Sequence, residues 1–315
     1  MFNKNILNIF GEADMGITLR EKFGSVIGDI MKLSRAAAKI DETKVYEEAN
    51  LGTRKYMYGL LDETFSKDSQ LGNIENFKEF YDDVAKNGKT GLILMEHYTN
   101  LDLPGIIYLL EKYGEEWAKD FSSRIVAVAG MKLNESNPGV RAFSEGFTRV
   151  VIYPTRSLNS VESKDISEEE KKAEEQKARK INFAAMRQMD ICKKRGQIIL
   201  VFPSGTRYRP GQPETKRGLR EIDSYLLLFD KMLLVSINGN CLRINPENPN
   251  DMLSDILEPG KVSYTAAPVL DCKQFRDDVL AKLPPDDPDP KQKTVDEVMK
   301  ILETLHDEVE AKDSK

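Results

Sequence analysis

The chain has 315 residues, 40% of them apolar and 31% charged, with 20 Gly and 14 Pro, a balance that excludes disordered, fibrous and collagen-like chains and fits one or two globular domains. A net charge of −6 argues against a general nucleic-acid binder, and no apolar run approaches the roughly 18 residues a spanning helix needs. A soluble, cytoplasmic protein in a reducing compartment is expected: the first 14 residues lack the basic and apolar blocks of a secretory signal, and Cys192, Cys241 and Cys272 are too few and too far apart for a disulfide framework or a close zinc-binding pair.

Up to about residue 88 the pattern is helical, with segments expected at 17–40, 43–65 and 76–86 and no strand signal. Leu19, Phe23, Val26, Ile27, Ile30 and Leu33 recur at helical spacing and give the first segment one apolar face. Residues 1–88 are therefore read as a separate region, an N-terminal helical bundle. From 89 to 315 short β-type runs alternate with helical stretches, at 92–95, 125–128, 149–153, 198–202, 233–237 and 262–269. That alternation predicts an α/β domain with a mixed sheet covered by helices on both faces. Several runs are continuously apolar, as in strands buried on both sides. Ser167 with Glu170 three residues on predicts a capping box opening a helix that runs to about Arg195, where Gly196 stops it. The proline-rich stretch 284–290 is read as an extended linker, followed by a last helix over 295–311. Between 171 and 220 there are 14 Lys plus Arg against 4 Asp plus Glu. That excess reads either as a surface for anions or as the solvated basic face of a long helix.

The chain has two histidines. His306, among Asp307, Glu308 and Glu310, is expected on the solvent surface. His97 follows the apolar run 91–95 and precedes a helical stretch at 103–112, so it sits where a buried strand gives way to a helix. In open α/β sheets ligands bind beyond such strand ends. Asp102 can turn back to bond one imidazole nitrogen and leave the other basic. The plainer readings are a helix N-cap for Asp102 and a backbone-satisfied core histidine for His97. A second strand end supplies Phe202-Pro-Ser204-Gly205-Thr206-Arg207, with Arg209 two residues on. Here Pro203 ends the ladder, Gly205 admits close approach of backbone to a ligand, and two guanidiniums suit a phosphate. A third strand end carries Arg156. Each arginine alone also reads as a surface residue. No phosphate loop, dinucleotide fingerprint or His-Glu-x-x-His motif occurs, and Ala142-Phe-Ser144-Glu-Gly146 lacks the first glycine of a nucleophile elbow. No metal or cofactor is expected.

His97-Tyr-Thr-Asn-Leu-Asp102 resembles the His-x4-Asp block of the glycerolipid acyltransferase family, and Phe202-Pro-Ser-Gly-Thr-Arg207 resembles its Phe-Pro-Glu-Gly-Thr-Arg block, in the same order and at matching separation. Ser204 in place of Glu, the second arginine at Arg209, the helical N-terminal region and the lack of spanning segments resemble the soluble chloroplast-type glycerol-3-phosphate acyltransferases. The resemblance covers about residues 90–270. It implies transfer of an acyl group from acyl carrier protein or coenzyme A to the 1-hydroxyl of glycerol 3-phosphate in phospholipid biosynthesis. By position it makes His97 the general base, Asp102 its orienting partner, and Arg207 and Arg209 the phosphate holders. Arg156 corresponds only loosely, because the chloroplast-type enzymes have adjacent basic residues where Ser157 follows here. Ser204, Gly205 and Thr206 form the supporting loop, with backbone N–H groups around Gly205 as candidates for oxyanion stabilisation. A 1-acylglycerol-3-phosphate acyltransferase, or a non-catalytic lipid- or carrier-binding protein on the same fold, are the alternatives. Contact with a membrane would be peripheral.

Overall fold

The computed structural model describes residues 16–135, 137–155 and 167–313. Its strands, in chain order, are β1 (Tyr46–Glu47), β2 (Gln70–Gly72), β3 (Gly91–Met95), β4 (Ile125–Gly130), β5 (Arg149–Ile152), β6 (Ile198–Val201), β7 (Lys231–Asn238), β8 (Leu242–Arg243), β9 (Ile256–Leu257), β10 (Ser263–Ala266) and β11 (Leu270–Asp271). The helices are α1 (Leu19–Leu33), α2 (Leu51–Thr64), α3 (Ile74–Ala85), α4 (Asp102–Lys112), α5 (Glu116–Arg124), α6 (Lys132–Glu135), α7 (Pro138–Ser144), α8 (Glu168–Lys194), α9 (Ile222–Leu226), α10 (Cys272–Leu280) and α11 (Pro290–Asp313).

Every β-type run of the sequence becomes a strand of one nine-stranded sheet, ordered β1-β5-β4-β6-β3-β7-β10-β2, with β11 also paired to β7. The five central strands, β5, β4, β6, β3 and β7, are mutually parallel, whereas β1 and β10 run antiparallel to their neighbours β5 and β7. The sheet is therefore mixed. Side chains alternate across it: Ile93, Met95, Ile198, Leu200, Leu233 and Val235 face one apolar cluster with α1 to α5, and Leu92, Leu94, Ile199, Val201, Met232 and Leu234 face the other with α8 to α11. Burying each such aliphatic side chain contributes about 1.5–3 kcal/mol, so the parallel strands are anchored from both sides.

Two expectations are modified. The missing strand signal before residue 88 predicts helices alone there, yet β1 and β2 add to the two ends of the sheet, β1 on β5 and β2 on β10. Runs of two and three residues carry no period, and their pairing is dictated by the open strand edges they cover. Leu19, Phe23, Phe77 and Phe80 also share an apolar cluster with Ile93 and Leu233, so sheet and core both cross residue 88. The last helix begins at Pro290 rather than at 295, because proline's fixed φ suits a first helical position. The α8 capping box forms as expected: Ser167 N–H donates to Glu170 Oε2 at 2.9 Å and Glu170 N–H to Ser167 Oγ at 3.2 Å. No helix among the described residues is long and apolar enough to cross a membrane.

Candidate active site

β3 and β6 are neighbours in the sheet, with Leu94 opposite Val201, so the loops leaving their carboxyl ends emerge side by side. Chain direction puts His97 on one loop and Phe202 to Arg209 on the other. The two loops are joined at the histidine. The His97 ring stacks on Phe202 with centroids 3.9 Å apart, and Tyr208 N–H donates to the His97 carbonyl at 2.7 Å.

His97 Nδ1 lies 2.9 Å from Asp102 Oδ2. Asp102 is the first residue of α4, not its N-cap, and its carboxylate folds back onto the preceding turn. Oδ2 also accepts from Tyr98 N–H at 2.6 Å and Thr99 N–H at 2.9 Å, and Oδ1 accepts from Thr99 Oγ1 at 2.8 Å. Asp102 is 2% exposed. A carboxylate with so many donors is held rigid, and a carboxylate oxygen that accepts at Nδ1 puts the ring proton there. The lone pair is then on Nε2. The His97 side chain keeps 17% of its surface accessible, so the ring is neither sealed in the interior nor free in solvent.

On the second loop Gly205 has a φ of +64°, and a side chain there would collide with Leu219. Only glycine satisfies both demands without strain. Ser204 Oγ donates to Thr206 O at 2.7 Å and Gly205 N–H donates to Phe202 O at 2.9 Å. The Gly205 N–H, expected among the oxyanion donors, is thus committed to the turn itself.

Arg207 and Arg209 differ in what they hold. Arg207 is buried, and its Nη1 forms an ion pair with Asp255, itself fully buried. Burial pushes the Asp255 carboxyl up, and the Arg207 charge draws it back. Asn100 Nδ2, from the turn between His97 and Asp102, donates to the same Asp255 oxygen at 3.2 Å. Asp255 therefore bridges the two loops. No motif marks it in the sequence. Arg209 is half-buried, with its N–H donating to Thr215 Oγ1 at 2.9 Å. Among the described residues its guanidinium makes no ion pair, and its Nε has no hydrogen-bond partner. Lys216 stands over the Tyr208 ring, 5.5 Å from the centroid, and adds positive charge to this loop. Arg156 lies outside the described residues.

His306 corrects its expected solvent placement. It is about one-fifth exposed and bonded through Nδ1 to the buried Glu96 at 2.9 Å. The acidic neighbours of His306 in sequence hid a partner 210 positions away. The basic stretch is also partly neutralised: Lys171, Lys177 and Arg179 pair with Glu168, Glu174 and Glu175, while Lys193 and Lys194 share Asp190.

No curated protein matches the sequence. Among solved structures, the 1-acyl-sn-glycerophosphate (LPA) acyltransferase PlsC from Thermotoga maritima is similar with 18% identity and a TM-score of 0.43, over 93% of this chain and 90% of that one. The model of the Acyltransferase family matches residues 70–227, about half of the chain and a span that includes His97, Asp102 and the loop from Phe202 to Arg209, and the protein belongs to that family.

Proposed function

We propose that the protein transfers a fatty acyl group from a thioester, on acyl carrier protein or coenzyme A, to the 1-hydroxyl of glycerol 3-phosphate, within phospholipid biosynthesis. The observation that carries this reading is the His97–Asp102 pair at 2.9 Å joined, through the stacked Phe202 and the Tyr208 N–H, to the loop bearing Arg207 and Arg209. His97 Nε2 removes the proton of the acceptor hydroxyl as its oxygen attacks the thioester carbonyl. The C–O bond forms, the C–S bond breaks, and the proton held by His97 passes to the leaving thiolate. Asp102 keeps the ring in the productive tautomer and stabilises its positive charge while the proton resides there. Arg209, without an ion-pair partner among the described residues, is the main phosphate clamp. Arg207 offers the side of its guanidinium that Asp255 leaves open. Holding the acceptor by its phosphate makes attack effectively unimolecular.

The test supplies purified protein with a radiolabelled acyl donor and either glycerol 3-phosphate or its 1-acyl derivative. Label in 1-acylglycerol 3-phosphate is expected. Transfer to the acylated acceptor alone would move the protein to the next acylation, and no transfer to either by folded protein would make it a binding protein.

A further inference from the structure

Glu96 immediately precedes the proposed base, and its side chain is buried. A carboxylate in such a place is tolerated only when its oxygens are occupied by donors. Here they are. Oε2 accepts from Ile237 N–H at 2.8 Å and lies 2.9 Å from His306 Nδ1, and Oε1 accepts from Tyr98 Oη at 3.0 Å. By strand alternation Glu96 follows Leu92 and Leu94 onto the face covered by α11, which delivers His306. Asn238 Nδ2 donates to the His306 carbonyl at 3.0 Å and fixes that turn of the helix on β7.

Tyr98 is tied at both ends. Its hydroxyl is held by Glu96 and also lies 3.4 Å from His306 Nδ1, and its backbone N–H makes a 2.6 Å bond to Asp102. Its ring stands edge-on to Tyr208, at 5.9 Å between centroids, and Tyr208 is the residue whose N–H holds the His97 carbonyl. The three residues from Glu96 to Tyr98 are therefore clamped on both sides of the base. A strand end that served packing alone would be completed by an apolar residue, with no buried charge to satisfy.

We propose that Glu96 and His306 are positioning residues for acyl transfer: the imidazole of the C-terminal helix holds the Glu96 carboxylate, which holds Tyr98, and through the Tyr98 N–H sets the angle at which Asp102 meets His97. The kinetic part of this inference rests on the acyl-transfer reading, and the geometric part does not. Loss of the donor at 306 loosens the Asp102–His97 geometry and lowers turnover, while the acceptor phosphate, held by the other loop, binds as before.

The test compares wild type with His306→Phe, which keeps a ring and loses the donor, and His306→Asn, whose amide N–H falls near Nδ1. For His306→Phe the expected result is a fall in kcat of about tenfold or more with KM for glycerol 3-phosphate within about twofold, and His306→Asn recovers most of it. Tyr98→Phe, which severs the same chain one link later, should behave as His306→Phe does and serves if that variant does not fold. Because the chain has two histidines, imidazole NMR reads the His97 ring directly: its ring resonances should move in His306→Phe and stay at the wild-type position in His306→Asn. Unchanged kcat and unchanged His97 ring resonances in His306→Phe and Tyr98→Phe would overturn the inference. A wild-type protein with no transfer to any acceptor, yet with a His97 ring that responds as described, would overturn the acyl-transfer reading and support the coupling.

Discussion

Asp102 does two jobs whose separation is measurable. It gathers the turn from His97 to Thr99 by accepting from Tyr98 N–H, Thr99 N–H and Thr99 Oγ1, and it orients the imidazole. Asp102→Asn keeps the shape but replaces one acceptor oxygen by a donor, so kcat should fall by about 10²–10⁴-fold with thermal stability lowered by about 1–3 kcal/mol, read by steady-state kinetics and calorimetry on the same samples. A loss of stability without a loss of turnover would make the carboxylate a structural clamp only. Arg209→Ala, by contrast, should raise KM for the phosphorylated acceptor by about 10–100-fold and leave kcat nearly unchanged, since it removes a charge-assisted contact made in ground and transition states alike. The contact of His97 with Asp102 and the placement of Arg207 and Arg209 on the neighbouring strand-end loop are legible because residue type and spacing announce them. Asp255, Glu96 and His306 are not, because each gains its meaning from a partner brought by the fold: Arg207 for Asp255, and the pair 210 positions apart for Glu96 and His306.

At the scale of elements, the buried Arg207–Asp255 pair fastens the loop after β6 to the segment entering β9, beside the turn before α4. Removing one partner strands the other's charge in the interior. Arg207→Met and Asp255→Leu should each cost about 3–5 kcal/mol in denaturant unfolding, and the double variant should cost less than the sum of the two. Helix α11 is tethered by His306, whose pKa is raised by its hydrogen bond to Glu96 against the opposing effect of burial, with Lys216 lowering it and Glu310 raising it. A raised folded pKa means the charged pair stabilises fully below the ordinary histidine value of 6.5 and fades as pH rises through the folded value. The melting-temperature gap between wild type and His306→Phe should therefore narrow as pH rises above that point, and a gap that widens would contradict the assignment. The central strands and α8 were readable from periodicity and capping alone, since six apolar runs and a Ser167–Glu170 box carry local signals. β1, β2, β8, β9 and β11 have two or three residues each, too few to express a period, and exist through the neighbours they pair with.

Across the whole molecule, two apolar layers enclose a sheet whose carboxyl-end loops meet at one histidine, and residues on both sides of position 88 supply both layers. All three cysteines are buried and unpaired, and burial pushes the Cys241 and Cys272 thiols up to about 12. The native protein should thus react negligibly with a thiol reagent at pH 8 and yield three thiols after denaturation, so that free thiol released during an assay comes from the acyl donor. That property makes the decisive measurement clean: thiol release from palmitoyl-coenzyme A and palmitoyl-acyl carrier protein, with and without glycerol 3-phosphate, by wild type and by His97→Ala. Acceptor-dependent release that falls by about 10³-fold or more in folded His97→Ala is the expected result. Release that continues at the wild-type rate without His97 would contradict the assignment of this imidazole as the base.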